Sequence, residues 1–300
     1  VIHLAAPNLG ERYYGRHVPR FADELARLYV RLGQQLRAGD RLVVSAPCAR
    51  LARLSRWLPA ACLREGTLAD IWLRDVAPVP TPRGWVKCRY RPAYCPADQA
   101  AHIDDRCRRW CRRLGLTARP LGLALDGGNL VADSGDQAIL TEQVLADNPA
   151  WTRDRICQRI TDRMGYARMC LLPVEPGDPT GHADGTVLWL SPTKLALSRL
   201  TGSHGRQVRR RLAATFPAVE LVEVPYAPEG ASATGIYVNA LTTAQALYVP
   251  TYDRRSDDRA LAIFEEHSPL PVVPVAMGPI GALGGSLRCL TWAVPETQIR

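Results

Sequence analysis

The 300-residue chain is almost without lysine: Lys87 and Lys194 are the only two, so 36 of its 38 lysine-plus-arginine cations are arginines. It has no run approaching the ~20 apolar residues of a spanning helix, which argues against a helical membrane protein. No Gly-x-Gly-x-x-Gly turn follows an early strand, so the best nucleotide-binding signature is missing. The opening Val1-Ile2-His3 lacks a charged-then-apolar secretory pattern, and the nine cysteines are odd in number. Reduced thiols in a cytoplasm are the expectation.

What is present suffices for a folded chain. With 47% hydrophobic and 22% charged residues the sequence reads as neither disordered nor membrane-embedded. A chain this long buries roughly 75% of its unfolded surface and needs no covalent staple. The net charge is +9, and its arginines crowd into Arg106 to Arg113 and Arg206 to Arg211. On helix-like segments such runs read as solvated faces, ahead of a nucleic-acid partner.

Helical spacing is clearest from Arg20 to Leu36, where Phe21, Leu25, Leu28, Leu32 and Leu36 share one face. Further helix-like segments fall near 49–58, 98–116, 151–164, 205–215 and 256–266. Strand-like runs lie at 41–46, 86–90, 138–141, 186–190, 195–200, 219–224, 236–240, 246–249, 272–275 and 287–292. Several strand pairs are too close in sequence to be joined by a helix, so a purely parallel doubly wound sheet is not expected. Asp75, Asp126, His182, Asn239 and Cys289 are spaced by 51, 56, 57 and 50 residues, each in or beside a Gly-rich or strand-like segment. A radial array of like units would bring such positions to a common axis.

Four motifs carry chemical side chains: Trp72-Leu73-Arg74-Asp75, Asp126-Gly127-Gly128-Asn129, Gly181-His182-Ala183-Asp184-Gly185, and Gly284-Gly285-Ser286-Leu287-Arg288-Cys289. In this order they resemble the agmatine deiminase and bacterial-type peptidylarginine deiminase family, part of a guanidino-modifying superfamily. The resemblance runs from about Asp70 to the C-terminus and extends to Tyr237-Val238-Asn239 and Tyr248-Val249-Pro250. It implies a single domain over 1–300, a five-fold pseudo-symmetric α/β propeller of the pentein kind, and a hydrolase that turns a guanidino group into a ureido group and ammonia. The implied ligand is a guanidino small molecule or peptide, without cofactor or metal; homo-oligomerisation is left open.

The chemistry agrees with the residue types. A guanidinium is a planar delocalised cation, so hydrolysing it calls for anions to hold the charge and a soft nucleophile aimed at the carbon. Asp75 and Asp184 suit paired N–H recognition. Cys289 suits attack, its thiolate favoured by a field from Arg288, His182 or the bound substrate. His182, expected near its ordinary pKa of about 6.5, suits proton transfer to ammonia and from water. Asp126 stands where the family carries Glu, about 1.5 Å shorter in reach, and is taken as the third catalytic member. Trp72 is assigned to the substrate wall. Arg288, where agmatine deiminases commonly have His, suggests contact with a substrate carboxylate, whereas Asp178 suggests contact with an amine. The opening segment, with Tyr13 and Tyr14, departs from the family and leaves the access wall undefined.

Other readings are weighed beside this one. Amidino transfer uses the same covalent intermediate, and a non-catalytic nucleic-acid-binding protein on a degenerate site would account for Asp126 and the arginine runs. Cys88, Cys95, His102, Cys107 and Cys111 do not reproduce zinc spacing. Gly202 to Gly205 before a basic segment reads as a plain turn rather than a phosphate site, and the remaining histidines and tryptophans as ordinary packing or surface residues.

Overall fold

A computed structural model describes residues 1–7, 14–228, 230 and 232–295; Tyr13 lies outside the described residues. The chain repeats one unit five times. In each, a tight turn leads into a strand, a second strand pairs with it antiparallel, and a helix crosses to a third strand parallel to the second.

The first complete unit along the chain has a one-turn helix preceding β4. Elements before it are β1 (Ile2–Ala5), α1 (Phe21–Gln35), β2 (Leu42–Ala46), α2 (Cys48–Leu54) and β3 (Leu63–Glu65). Then come α3 (Leu73–Val76), β4 (Val79–Thr81), β5 (Gly84–Arg89), α4 (Ala97–Arg113) and β6 (Arg119–Ala124). The next unit contains β7 (Val131–Ala132), β8 (Gln137–Thr141), α5 (Gln143–Ala146), α6 (Arg153–Met164) and β9 (Arg168–Leu172). It is followed by β10 (Val187–Ser191), β11 (Lys194–Ser198), α7 (Gly202–Thr215) and β12 (Glu220–Val224). The last helical crossover joins β13 (Leu241–Thr242) and β14 (Leu247–Thr251) through α8 (Arg255–His267) to β15 (Val272–Ala276). Finally α9 (Leu287–Leu290) leads into β16 (Trp292–Ala293), which pairs antiparallel with β1, while β1 pairs parallel with β2. The C-terminal strand thus supplies the outer member of the N-terminal sheet and closes the ring.

The five sheets run β16-β1-β2-β3, β4-β5-β6, β7-β8-β9, β10-β11-β12 and β13-β14-β15. This is a five-fold pseudo-symmetric α/β propeller. Parallel pairs need a crossover, and an amphipathic helix both supplies it and covers one sheet face. In α1, for example, Phe21, Leu25, Leu28, Tyr29 and Leu32 are buried against the first sheet's core. No described helix is long and apolar enough to cross a membrane.

Two expected strands differ. Residues 236–240 form turns, with only Ile236 bridged to Tyr226; Tyr237 is anchored through its hydroxyl to Asp257 and Ser256. Residues 287–292 divide into the helical turn α9 and the short strand β16. Both segments are short and almost wholly buried, and apolar content alone does not separate a buried turn from a buried strand. Gly202 to Gly205 is the first turn of α7 rather than a turn ahead of it. All nine cysteines are free. Cys107 and Cys111 face one another on α4 at 4.0 Å, Cys88 lies in β5, and no group of three or more metal-binding side chains converges among the described residues.

Candidate active site

The turn that opens each unit carries a polar residue into the centre: Asp75 in α3, Asp126 before the 3₁₀ turn Gly127–Asn129, His182 and Asp184 around the 3₁₀ turn Ala183–Gly185, Asn239 before β13, and Cys289 in α9. The spacing near 50 residues is therefore the length of one unit. All six side chains are buried, and all but Asp126 line one cavity of about 1000 Å³. Asp126 joins it through His182, whose Nε2 lies 3.2 Å from Asp126 Oδ2.

Two glycine pairs make this convergence sterically possible. A methyl group on Gly128 would lie 2.6 Å from Asp75 Oδ1, 2.6 Å from His182 Nδ1 and 3.2 Å from Asp184 Oδ2, so three functional side chains pack where a Cβ would stand. One on Gly285 would lie 2.5 Å from the Trp72 ring. Trp72 lines the cavity and meets Tyr14 edge-on.

His182 lies between two carboxylates, with Nδ1 3.6 Å from Asp75 Oδ1 on its other side. Tyr94 donates its hydroxyl to Asp126 Oδ2 at 3.2 Å, and Gly128 N–H donates to Asp75 Oδ1 at 3.1 Å. Despite its shorter side chain, Asp126 thus reaches His182. Asn239 accepts from the Cys289 N–H at 3.3 Å and from its thiol at 3.4 Å, and donates to the Asp184 carbonyl at 3.3 Å. The Cys289 sulfur is 4.0 Å from Asp184 Oδ2.

The electrostatics revise the expected values. Burial alone would disfavour the imidazolium, but Asp75, Asp126 and Asp184 outweigh it and push His182 up to about 10. His182 is therefore cationic at neutral pH in the ligand-free site. Burial, then the charges of Asp184 and Asp75, push the Cys289 thiol well above its ordinary range. The field at the sulfur without ligand is thus net unfavourable to thiolate. Burial raises the carboxyls of Asp75 and Asp184 too, opposed chiefly by His182 at the first and Arg288 at the second.

Of the other predicted residues, Asp178 lines the cavity, its Oδ1 accepting from the Thr180 N–H and hydroxyl at 2.8 Å each. Arg288 does not line the cavity; its Nε is 3.5 Å from Asp184 Oδ2 and its Nη2 donates to the Leu130 carbonyl. The expected contact with a substrate carboxylate is therefore not built, because α9 turns Cys289 and Arg288 to different sides. Sequence reasoning missed Tyr94, Glu175 and Tyr226, which lack any motif; Tyr226 donates to Glu175 at 2.6 Å on the cavity wall. Asn239 was visible as a member of the spacing series and in Tyr237-Val238-Asn239, but without an assigned role.

A family profile described as Porphyromonas-type peptidyl-arginine deiminase matches residues 13–295. The chain belongs to that family. Deiminases hydrolyse guanidino C–N bonds. The fold resembles the agmatine deiminase of Enterococcus faecalis, with a TM-score of 0.79 at 17% identity, covering 97% of this chain and 92% of that one. It also resembles a Porphyromonas gingivalis protein provisionally named arginine deiminase, with a TM-score of 0.80 at 21% identity, covering 100% and 96%. A Yersinia pseudotuberculosis protein provisionally named agmatine deiminase is 20% identical over 96% of this chain and 91% of its own.

Proposed function

We propose that the protein is a cysteine-dependent deiminase that converts a guanidino group to a ureido group and ammonia. The observation that carries this reading is the shared cavity in which the Cys289 sulfur, the His182 imidazole and the carboxylates of Asp75 and Asp184 face one small volume. Asp75 and Asp184 grip the guanidinium through its N–H edges, and its positive charge offsets the carboxylates that hold Cys289 as a thiol. Cys289 then releases its proton to solvent water, and its sulfur attacks the guanidinium carbon. His182, already protonated, delivers its proton to the departing nitrogen, which leaves as ammonia. The carbon remains on sulfur as a thiouronium. Water attacks next, His182 takes its proton, and the C–S bond breaks to give the ureido product and free Cys289. Asp126 holds the His182 ring in place throughout.

Wall charge supports a substrate with a second positive or neutral end. Asp70, Asp75, Glu175, Asp178 and Asp184 line the cavity, against Arg16 as the one arginine or lysine among its described residues. Agmatine therefore ranks ahead of free arginine, with an arginine side chain in a peptide as the next candidate. A colorimetric ureido assay against agmatine, arginine and Arg-containing peptides tests the reading: ureido product with ammonia is expected from at least one. An amidinated acceptor in place of ammonia would mean amidino transfer, and no product from any would defeat the reading.

A further inference from the structure

Building on the proposed deiminase reading, we infer that Arg288 is a positioning residue which, from behind the cavity wall, keeps Asp184 ionised to receive the guanidinium. Arg288 directly precedes Cys289 in α9, yet its guanidinium lies behind Asp184, with Nε 3.5 Å from Oδ2, Arg288 partly buried at 14% exposure and Asp184 buried at 3%. Its Nη2 donates to the Leu130 carbonyl at 3.3 Å, and that same oxygen accepts from Arg74 Nη2 at 3.2 Å. Two guanidiniums thus converge on one carbonyl behind the acidic wall. Burial, then repulsion by Arg288, lowers Arg74 to about 9. Such an arrangement of like charges is tolerated only where countercharges are close, and Asp184 and Asp75 supply them.

Asp75 and Asp184 are satisfied differently. Asp75 receives the Gly128 N–H at 3.1 Å. The influences that oppose burial at Asp184 are cations, with Arg288 foremost, then His182 and Arg74; Asp75, Asp178 and Cys289 are the other ionisable groups around it. An opposite charge at this range moves a carboxyl by ~1–3 pH units. Without Arg288, Asp184 takes up a proton at higher pH, so guanidinium binding fails earlier as pH falls. The acid limb of kcat/KM then moves to higher pH. Because the same carboxylate holds the cation before and during attack, the loss falls mainly on KM.

The test compares R288Q and R288K with wild type. In ligand-free protein labelled with 13C at the Asp carboxyls, with Asp184 assigned through D184N, R288Q should raise the Asp184 midpoint by about one pH unit or more, and R288K by less than half that. With agmatine as substrate, KM of R288Q should rise about tenfold or more at pH 6.5 with kcat within about threefold, and the loss should shrink at pH 9. R288K should restore most of it. An unmoved midpoint, or an equal loss at both pH values, overturns the inference. Should R288Q not fold, R288M, which keeps an apolar stem in place, supplies the same comparison. If the wild type forms no ureido product from agmatine, the agmatine assignment fails, while the carbon titration still decides what Arg288 does.

Discussion

The outside and the centre of this protein carry opposite charge. The chain carries a net charge of +9, and arginines of the outer helices are held in local pairs: Arg108 with Asp104, Arg109 with Asp105, Arg211 with Glu142 and Arg209 with Glu223. The centre gathers Asp75, Asp126 and Asp184 around one histidine and one thiol. Net charge reports the first region, which is large and solvated, and says nothing of the second. What a small cationic ligand meets is the field of its cavity, where low dielectric makes each charge count for more.

Substitutions that exploit this contrast should fall in a definite order. Cys289→Ala is expected to remove turnover by about 10⁴-fold or more, read as ureido formation, with agmatine still bound; normal product from it would end the covalent scheme. Asp75→Asn should lower kcat/KM about 100-fold or more, chiefly through KM, because one partner of a buried charge pair is lost. Asp126→Glu should lower kcat about 10- to 100-fold, since Asp126 already lies 3.2 Å from both His182 Nε2 and the Tyr94 hydroxyl and an added methylene displaces both. A smaller effect concerns pH and stability. The His182 value is raised on folding, so its contribution to ligand-free stability is complete below about 6.5 and is lost as pH rises through about 10. Melting curves between pH 6 and 10 should show that decline, and His182→Gln should flatten it. At the outer surface, Arg109→Ala should change stability by less than about 0.5 kcal/mol and leave kcat/KM within about twofold.

Much of this contrast was legible because the motifs sit at one position in each unit. Asp75, Asp126, His182, Asn239 and Cys289 announced the repeat, and the four motifs in order carried the family resemblance that implied a deiminase. The units themselves were harder to see, since β7, β13 and β16 are only two residues long and carry no alternation. Side-chain direction was harder still. Arg288 and Cys289 are neighbours in sequence, but adjacent residues of a helical turn point about 100° apart, so one lines the cavity and the other backs it. The ionisation states were hidden for a related reason: the carboxylates that raise His182 are chiefly Asp75 and Asp126, the nearer of them 56 residues away in the chain.

The strap formed by β16 gives Cys289 a place in time as well as in space. Cys289 sits between the last crossover and the strand that fastens onto Ile2 and His3. During synthesis the carboxylates and the imidazole emerge well before the sulfur does, and the turn that holds it is tied to Asn239 and runs on into the strand that pairs with Ile2 and His3. A nascent chain short of that junction therefore carries the carboxylates and the imidazole without the sulfur they face in the finished ring.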